Sequence, residues 1–298
     1  MLKMPVHLTR GLLVSSLSIA LTACINMQAS QPVQKSNIPQ NFSQTSTGTS
    51  IAENGYKTFF SDPKLLQVIE ISIDNNRDLR TAALNIQRAQ QQYQISKNDQ
   101  LPTIGATGSA VRQVESSINP NNPYSTFQVG LGVTAYELDF WGRVQSLKDA
   151  ALNNYFATQS ARDATQISLI SQVTQAWLNY AFAKDNLNLA EQTLKAQIDS
   201  YNLNKKRFDV GIDSEVPLRQ AQISVETARN DVANYKTQMV QAHNLLNLLA
   251  GQTIPQDLLP NQRIKSITKE TAFTTGLPSN LLNNRPDLKA AEFQLRAA

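Results

Sequence analysis

Between Arg143 and Val210 the chain has neither glycine nor proline, a run of 68 residues in a protein of 298. Glycine and proline are the usual helix breakers, one through backbone freedom and the other through its missing N–H. A single α-helix over that run would be on the order of 100 Å long at about 1.5 Å per residue. A helix of that length must have its apolar side covered. A seam is present at alternating spacings of three and four: Ile170, Val173, Trp177, Tyr180, Lys184, Leu187, Glu191, Leu194, Ile198, Tyr201, Lys205 and Phe208. Gly211 interrupts the run, and Pro217 stands where the first turn of a new helix tolerates it. A second seam follows at Leu218, Ala221, Val225, Ala228, Val232, Tyr235, Met239, Ala242, Leu246 and Leu249, with Gly251 as its stop. Sustained heptads predict a coiled coil, so the two helices fold back across 211–217 as a hairpin. The first is far longer than the second, and the region 64–100 is about the right length to cover the remainder. It lacks glycine and proline, and Leu79, Ala83, Ile86, Ala89 or Gln90, and Tyr93 recur at helical spacing. Asp62 before Pro63 predicts an N-cap, and Asn75-Asn76 a break between a short helix and a longer one.

After Pro102 the period changes. TIGATGSAVRQ is small, glycine-containing and without helical periodicity, and a polar loop with Asn119-Pro120-Asn121-Asn122-Pro123 follows. Then Phe127, Val129, Leu131, Val133 and Ala135 alternate with Gln128, Gly130, Gly132, Thr134 and Tyr136. Period two with one apolar face and one polar or small face is a strand signal. It fits a transmembrane barrel strand with one side to lipid, and equally a half-buried hairpin in water.

The first residues, MLKMPVHLTRGLLVSSLSIALTAC, have the parts of a bacterial export signal: Lys3 and Arg10, an apolar run from Gly11 to Leu21, then small residues. The apolar run is short for a spanning helix. Leu21-Thr22-Ala23-Cys24 resembles a lipobox, in which the cysteine is diacylated after cleavage. An ordinary signal peptide with an incidental cysteine is the alternative. Cys24 is the only cysteine, so an internal disulfide and a cysteine-rich zinc site are excluded. Ile25 after it, rather than Asp, implies outer-membrane sorting by resemblance to Gram-negative lipoproteins. Residues 25–60 are polar and read as a tether. The formal charge is +4; without Lys3 and Arg10 there are 25 basic and 23 acidic residues, with no basic cluster for nucleic acid. Of two histidines, His7 leaves with the signal and His243 is expected on a helix surface. No phosphate loop, HExxH or GxSxG is present, so no enzyme activity, metal or cofactor is expected. Asp209, Asp213 and Glu215 lack the spacing of a calcium loop and read as a solvated turn.

One phrase occurs twice. Asn75-Asn76-Arg77-Asp78-Leu79 aligns with Asn283-Asn284-Arg285-Asp287-Leu288 across an inserted Pro286, and the apolar phase continues to Ala89 and Ala298. Asp287 follows Asp78 by 209 residues, which predicts a repeating unit of helix, hairpin, long helix, helix. With LTAC at 21–24, NNRDLRTAALNIQRAQ at 75–90, QLPTIGATGSA at 100–110, AYELDFWGRV at 135–144, RFDVGIDSEVPLRQAQ at 207–222 and LPSNLLNNRPDLKAAE at 277–292, the chain resembles the outer-membrane factor family. These are the TolC/OprM-like ducts, and within them the lipoprotein channels of tripartite RND multidrug efflux pumps.

The resemblance implies a mainly α fold with a transmembrane β-hairpin: coiled-coil α-barrel helices, and two strands of a β-barrel shared in a homotrimer. It implies a passive duct in the outer membrane, helical body in the periplasm, partnered by a periplasmic adaptor (membrane fusion) protein and an inner-membrane RND pump. The adaptor would dock at the tip, Val210, Gly211, Ile212, Asp213 and Ser214; Trp141-Gly142 would be the strand-to-helix junction; Phe127, Val129, Leu131, Val133 and Ala135 would face lipid. The corresponding divisions are a signal peptide (1–23), lipidated tether (24–60), equatorial and α-barrel helices (61–101), transmembrane hairpin (102–140), helical hairpin (141–251), linker (252–282) and the start of a second repeat (283–298). The rest of that repeat is expected to be missing, with the aperture-closing residues. Three such protomers would offer six strands, fewer than the eight of the smallest ordinary membrane barrels. The alternatives are a type I secretion duct and, in another class, a periplasmic coiled-coil adaptor or structural lipoprotein.

Overall fold

The computed structural model describes residues 55–113, 124–261, 266–268 and 284–298. Cys24, the signal, nearly all of the tether, the loop at 119–123, much of 252–282 and Asn283 lie outside the described residues. In chain order the elements are α1 (Tyr56–Phe59), α2 (Pro63–Asn75), α3 (Arg77–Asn98), β1 (Thr103–Gln113), β2 (Tyr124–Ala135), α4 (Arg143–Asp209), α5 (Glu215–Ala250), a 3-10 turn (Gln256–Leu258) and α6 (Pro286–Ala297). The breaker-free run is one helix, α4, of 67 residues. Asp62 caps α2 as its sequence position predicts. Its Oδ1 accepts from the Lys64 and Leu65 N–H groups at 2.8 and 3.0 Å, and Pro63, with no N–H to satisfy, begins the helix.

The chain divides into two compact units. One holds Ile86–Thr158 with Ala291–Ala298; the other holds the described residues up to Asn85 with Gln159–Ala290. The core of the second unit joins Leu65, Val68 and Ile69 of α2 to Val173 and Trp177 of α4 and Leu246 and Ala250 of α5. Burying each of the larger aliphatic side chains contributes about 1.5–3 kcal/mol. The segment after α5 crosses this core as a strap. The Trp177 indole donates to the Leu258 carbonyl (3.3 Å), Lys184 Nζ to Pro260 O and Asn261 Oδ1 (3.4 and 3.3 Å), and the Ser61 N–H to Ile267 O (2.8 Å). Those bonds place polar partners where a tryptophan and a lysine enter apolar surroundings.

Every residue of the α5 seam, from Leu218 to Leu249, is buried or half-buried. The α4 seam follows expectation through Leu187 and then departs. Ala190, Leu194, Gln197, Tyr201 and Asn204 are covered, while Glu191, Ile198, Lys205 and Phe208 are exposed. Two phases of a three-four pattern share every second position, and at 197/198 the more hydrophobic residue, Ile198, is the exposed one. On α3 the covered positions are Leu79, Ala82, Ile86, Ala89, Tyr93 and Ser96, with Ala82 in place of the expected Ala83. His243 is not a surface residue. It is half-buried with its ring 5.9 Å from that of Tyr180, and its Nε2 has no hydrogen-bond partner.

In the first unit, the Gln100 side-chain amide donates to Gln145 Oε1 of α4 at 2.8 Å. Phe293 of α6 packs on Phe156 of α4 with ring centroids 5.4 Å apart. The β1–β2 hairpin of this unit is an antiparallel two-stranded sheet.

Candidate functional site

The two strands pair from Ile104 opposite Val133 to Gln113 opposite Tyr124, with an irregularity at Thr103. Alternation puts Phe127, Val129, Leu131 and Val133 on one face, where their partners across the ladder are Ala110, Gly108, Ala106 and Ile104. Three of the four large side chains thus stand over small ones. Among the described residues nothing covers this face: Phe127 is 76%, Val129 90% and Leu131 81% exposed. Ala135, also exposed, ends β2 beside Thr103. On the other face Gln128, Gly130 and Gly132 oppose Ser109, Thr107 and Gly105. From Ile104 to Ala110, β1 therefore carries the same apolar-or-small against polar-or-small alternation as β2, and Val111 and Arg112 reverse it at the end of the strand. The readable signal in TIGATGSAVRQ was its period of two, masked by side chains too small to score as hydrophobic.

Between β2 and α4 the chain turns at Gly142, with φ of 74°, and leaves Trp141 exposed. The turn is tied by acids that the sequence did not single out. Asp139 Oδ2 accepts from the Gln145 N–H at 2.8 Å, satisfying a first-turn donor of α4. Glu137 holds Arg143 through both of its oxygens.

The expected tip residues lie together in the α4–α5 turn. Gly211 has φ of 74°. Its N–H donates to Phe208 O, and the Ile212 N–H to Arg207 O, both at 2.9 Å. That pair of bonds around a left-handed residue is the Schellman ending, which satisfies carbonyls left free at a helix C-terminus. Val210 and Ile212 flank the glycine and are 69% and 68% exposed. Ser214 precedes α5 as its N-cap residue but makes no side-chain capping bond. Asp213 is held by Arg207, and Glu215 by Arg219 at 2.7 Å. Both carboxylates thus have cationic partners.

At its other end α5 meets the α2–α3 break. Asn76 is 6% exposed. Its Oδ1 accepts from the Leu79 N–H at 2.9 Å, capping α3, while its Nδ2 donates to Leu249 O at 2.8 Å. One side chain thus satisfies the start of one helix and the last turn of another. Gly251, with φ of 70°, lies so close that a Cβ there would sit 2.3 Å from Asn75 O. Asn247 Oδ1 then accepts from the Ile254 N–H at 2.8 Å and turns the chain into the strap. The sequence marked Asn75-Asn76 as a break and Gly251 as a stop, without their meeting.

Residues 68–252 match the model of the outer membrane efflux protein family. The antibiotic efflux pump outer membrane protein ArpC of Pseudomonas putida is 38% identical over 95% of this chain and 62% of its own length. The cation efflux system protein CusC of Escherichia coli is 35% identical over 96% of this chain and 63% of its own. Among solved structures, the open state of the MtrE outer membrane channel of Neisseria gonorrhoeae superposes with a TM-score of 0.75 at 34% identity. It covers 88% of this chain and 59% of that one. The chain spans about three fifths of the length of the curated relatives it matches.

Proposed function

The chain belongs to the outer membrane efflux protein family, and from that premise we propose that it is the outer-membrane channel component of a tripartite RND-type efflux system. In this role it is a passive conduit that carries antibiotics and other toxic compounds outward. The observation that carries the reading is the uncovered apolar row on β2. Strands of 11 and 12 residues have the length of tilted membrane-spanning strands. Their split into one apolar and one polar or small face suits lipid on one side and a wet interior on the other. Relatives of near-equal identity are named for antibiotics and for cations, which supports a duct whose cargo is selected by the pump.

In this reading Phe127, Val129, Leu131, Val133 and Ala135 face lipid in the outer membrane, and closing the strand edges takes more strands than the two that these residues give each protomer of a homotrimer, since unpaired backbone in lipid costs several kcal/mol per group. Trp141-Gly142 is the junction where the strand gives way to periplasmic helix. Residues 210–214 meet the periplasmic adaptor, which links the duct to the inner-membrane pump. Residues 1–23 are an export signal, and Cys24 carries the lipid that anchors the chain; each buried methylene adds about 0.8 kcal/mol. Expression in a Gram-negative host followed by separation of the membranes tests the proposal. The chain is expected in the outer-membrane fraction, labelled by palmitate in a manner lost in Cys24→Ala. Leu131→Arg, costing about 2–4 kcal/mol at mid-membrane, is expected to prevent insertion. Recovery of the wild type as a soluble periplasmic protein with its strands open to protease would overturn it.

A further inference from the structure

The tip loop is held from both sides by one residue. The Arg207 carbonyl accepts from the Ile212 N–H at 2.9 Å and from the Asp213 N–H at 3.4 Å. The Arg207 guanidinium reaches across the turn to the Asp213 carboxylate, Nε to Oδ2 at 2.5 Å and Nη2 to Oδ1 at 3.3 Å. Between these attachments Gly211 has nothing within 4 Å of where a Cβ would stand, and Val210 and Ile212 are exposed, with no cover among the described residues. A partly exposed ion pair adds little to folding stability. A two-pronged guanidinium–carboxylate contact does, however, fix geometry in a way that a lysine cannot.

We infer that Arg207 is a positioning residue of the tip: its clasp on Asp213 sets the loop so that Val210 and Ile212 are presented together to the docking partner. The inference rests on reading 210–214 as the surface that meets the periplasmic adaptor. It separates the contact residues from the one that aims them. Arg207 is a turn earlier on α4, with a side chain committed within the loop rather than to a partner.

Two measurements on the full chain test it. Amide exchange at Ile212 and Asp213 is expected to quicken about 10-fold in Arg207→Gln and in Asp213→Asn, and by less in Arg207→Lys, which keeps charge but loses the fork. Binding to the purified adaptor of the Pseudomonas putida system that contains the 38% identical relative is expected to weaken about 10-fold in the same two variants with helix content unchanged, and to be partly retained in Arg207→Lys. Unchanged exchange overturns the inference, as does faster exchange with undiminished binding. Ile212→Asp separates the two levels. If it abolishes binding while Arg207→Gln does not, the clasp fails and the docking tip stands. If the wild type does not bind, or Ile212→Asp binds equally well, the tip reading fails and the inference falls with it.

Discussion

Gly211 and Gly251 bracket α5 with nearly the same backbone torsion, φ of 74° and 70°, and for different reasons. At the tip, an added Cβ would meet nothing within 4 Å; at the base it would strike Asn75 O at 2.3 Å. The tip needs glycine only for a left-handed turn, a conformation asparagine also tolerates. The base needs it for the turn and for contact with another backbone, which no side chain permits. The chain finishes its own packing at the base of the hairpin and leaves the tip open.

That contrast breaks most readily at the base. Gly251→Ala adds left-handed strain to overpacking against Asn75 and is expected to destabilise the fold by about 2–4 kcal/mol in chemical unfolding followed by circular dichroism. A loss no larger than at Gly211 would erase the distinction. Asn76→Ala removes a helix cap and leaves Leu249 O without its donor, with an expected cost of about 2 kcal/mol in the same assay. Gly211→Ala is expected to cost about 1 kcal/mol from strain alone, and Gly211→Asn only a few tenths.

The echo of the base phrase sharpens the comparison at the smallest scale. Asn76 is buried and doubly bonded, whereas Asn284, its counterpart, is exposed. The inserted Pro286 starts α6 without an N–H to cap. Here Arg285 holds the Asp287 carboxyl below the usual carboxylate range through a side-chain hydrogen bond. A lowered folded-state value means that this small stabilisation is complete above about pH 4 and is lost as pH falls through the depressed value. A titration of Asp287 by nuclear magnetic resonance should show the lowering, and Arg285→Gln should remove it.

Much of this was legible in the residues. The α5 seam, the Asp62 cap, the break at Asn75-Asn76 and the β2 alternation each follow from a local period or a local cap. The α4 seam beyond Leu187 was not, because Gln197 and Ile198 fit a three-four spacing between Leu194 and Tyr201 equally well. Neighbouring positions on one helix differ by a fraction of a turn, and the apolar one was chosen, so Gln197 was passed over for Ile198. At the base, Asn76 and Leu249 are 173 residues apart, and no local rule joins them. Arg207 and Asp213 are only six apart; a cation one turn before a helix-ending glycine and an acid two residues after it is a signal that could have been used.

Those two separations also set an order of events. For a flexible chain, closing a span of 173 residues costs about 3 kcal/mol more in entropy than closing one of six. The clasp at the tip can therefore form as soon as α4 and α5 turn back on each other, while the Asn76–Leu249 bond waits for both helices to be complete. A single amide thereby acts as an inspection step, since its local cap on α3 is joined by its bond to the last turn of α5 only in a chain whose hairpin has already been built.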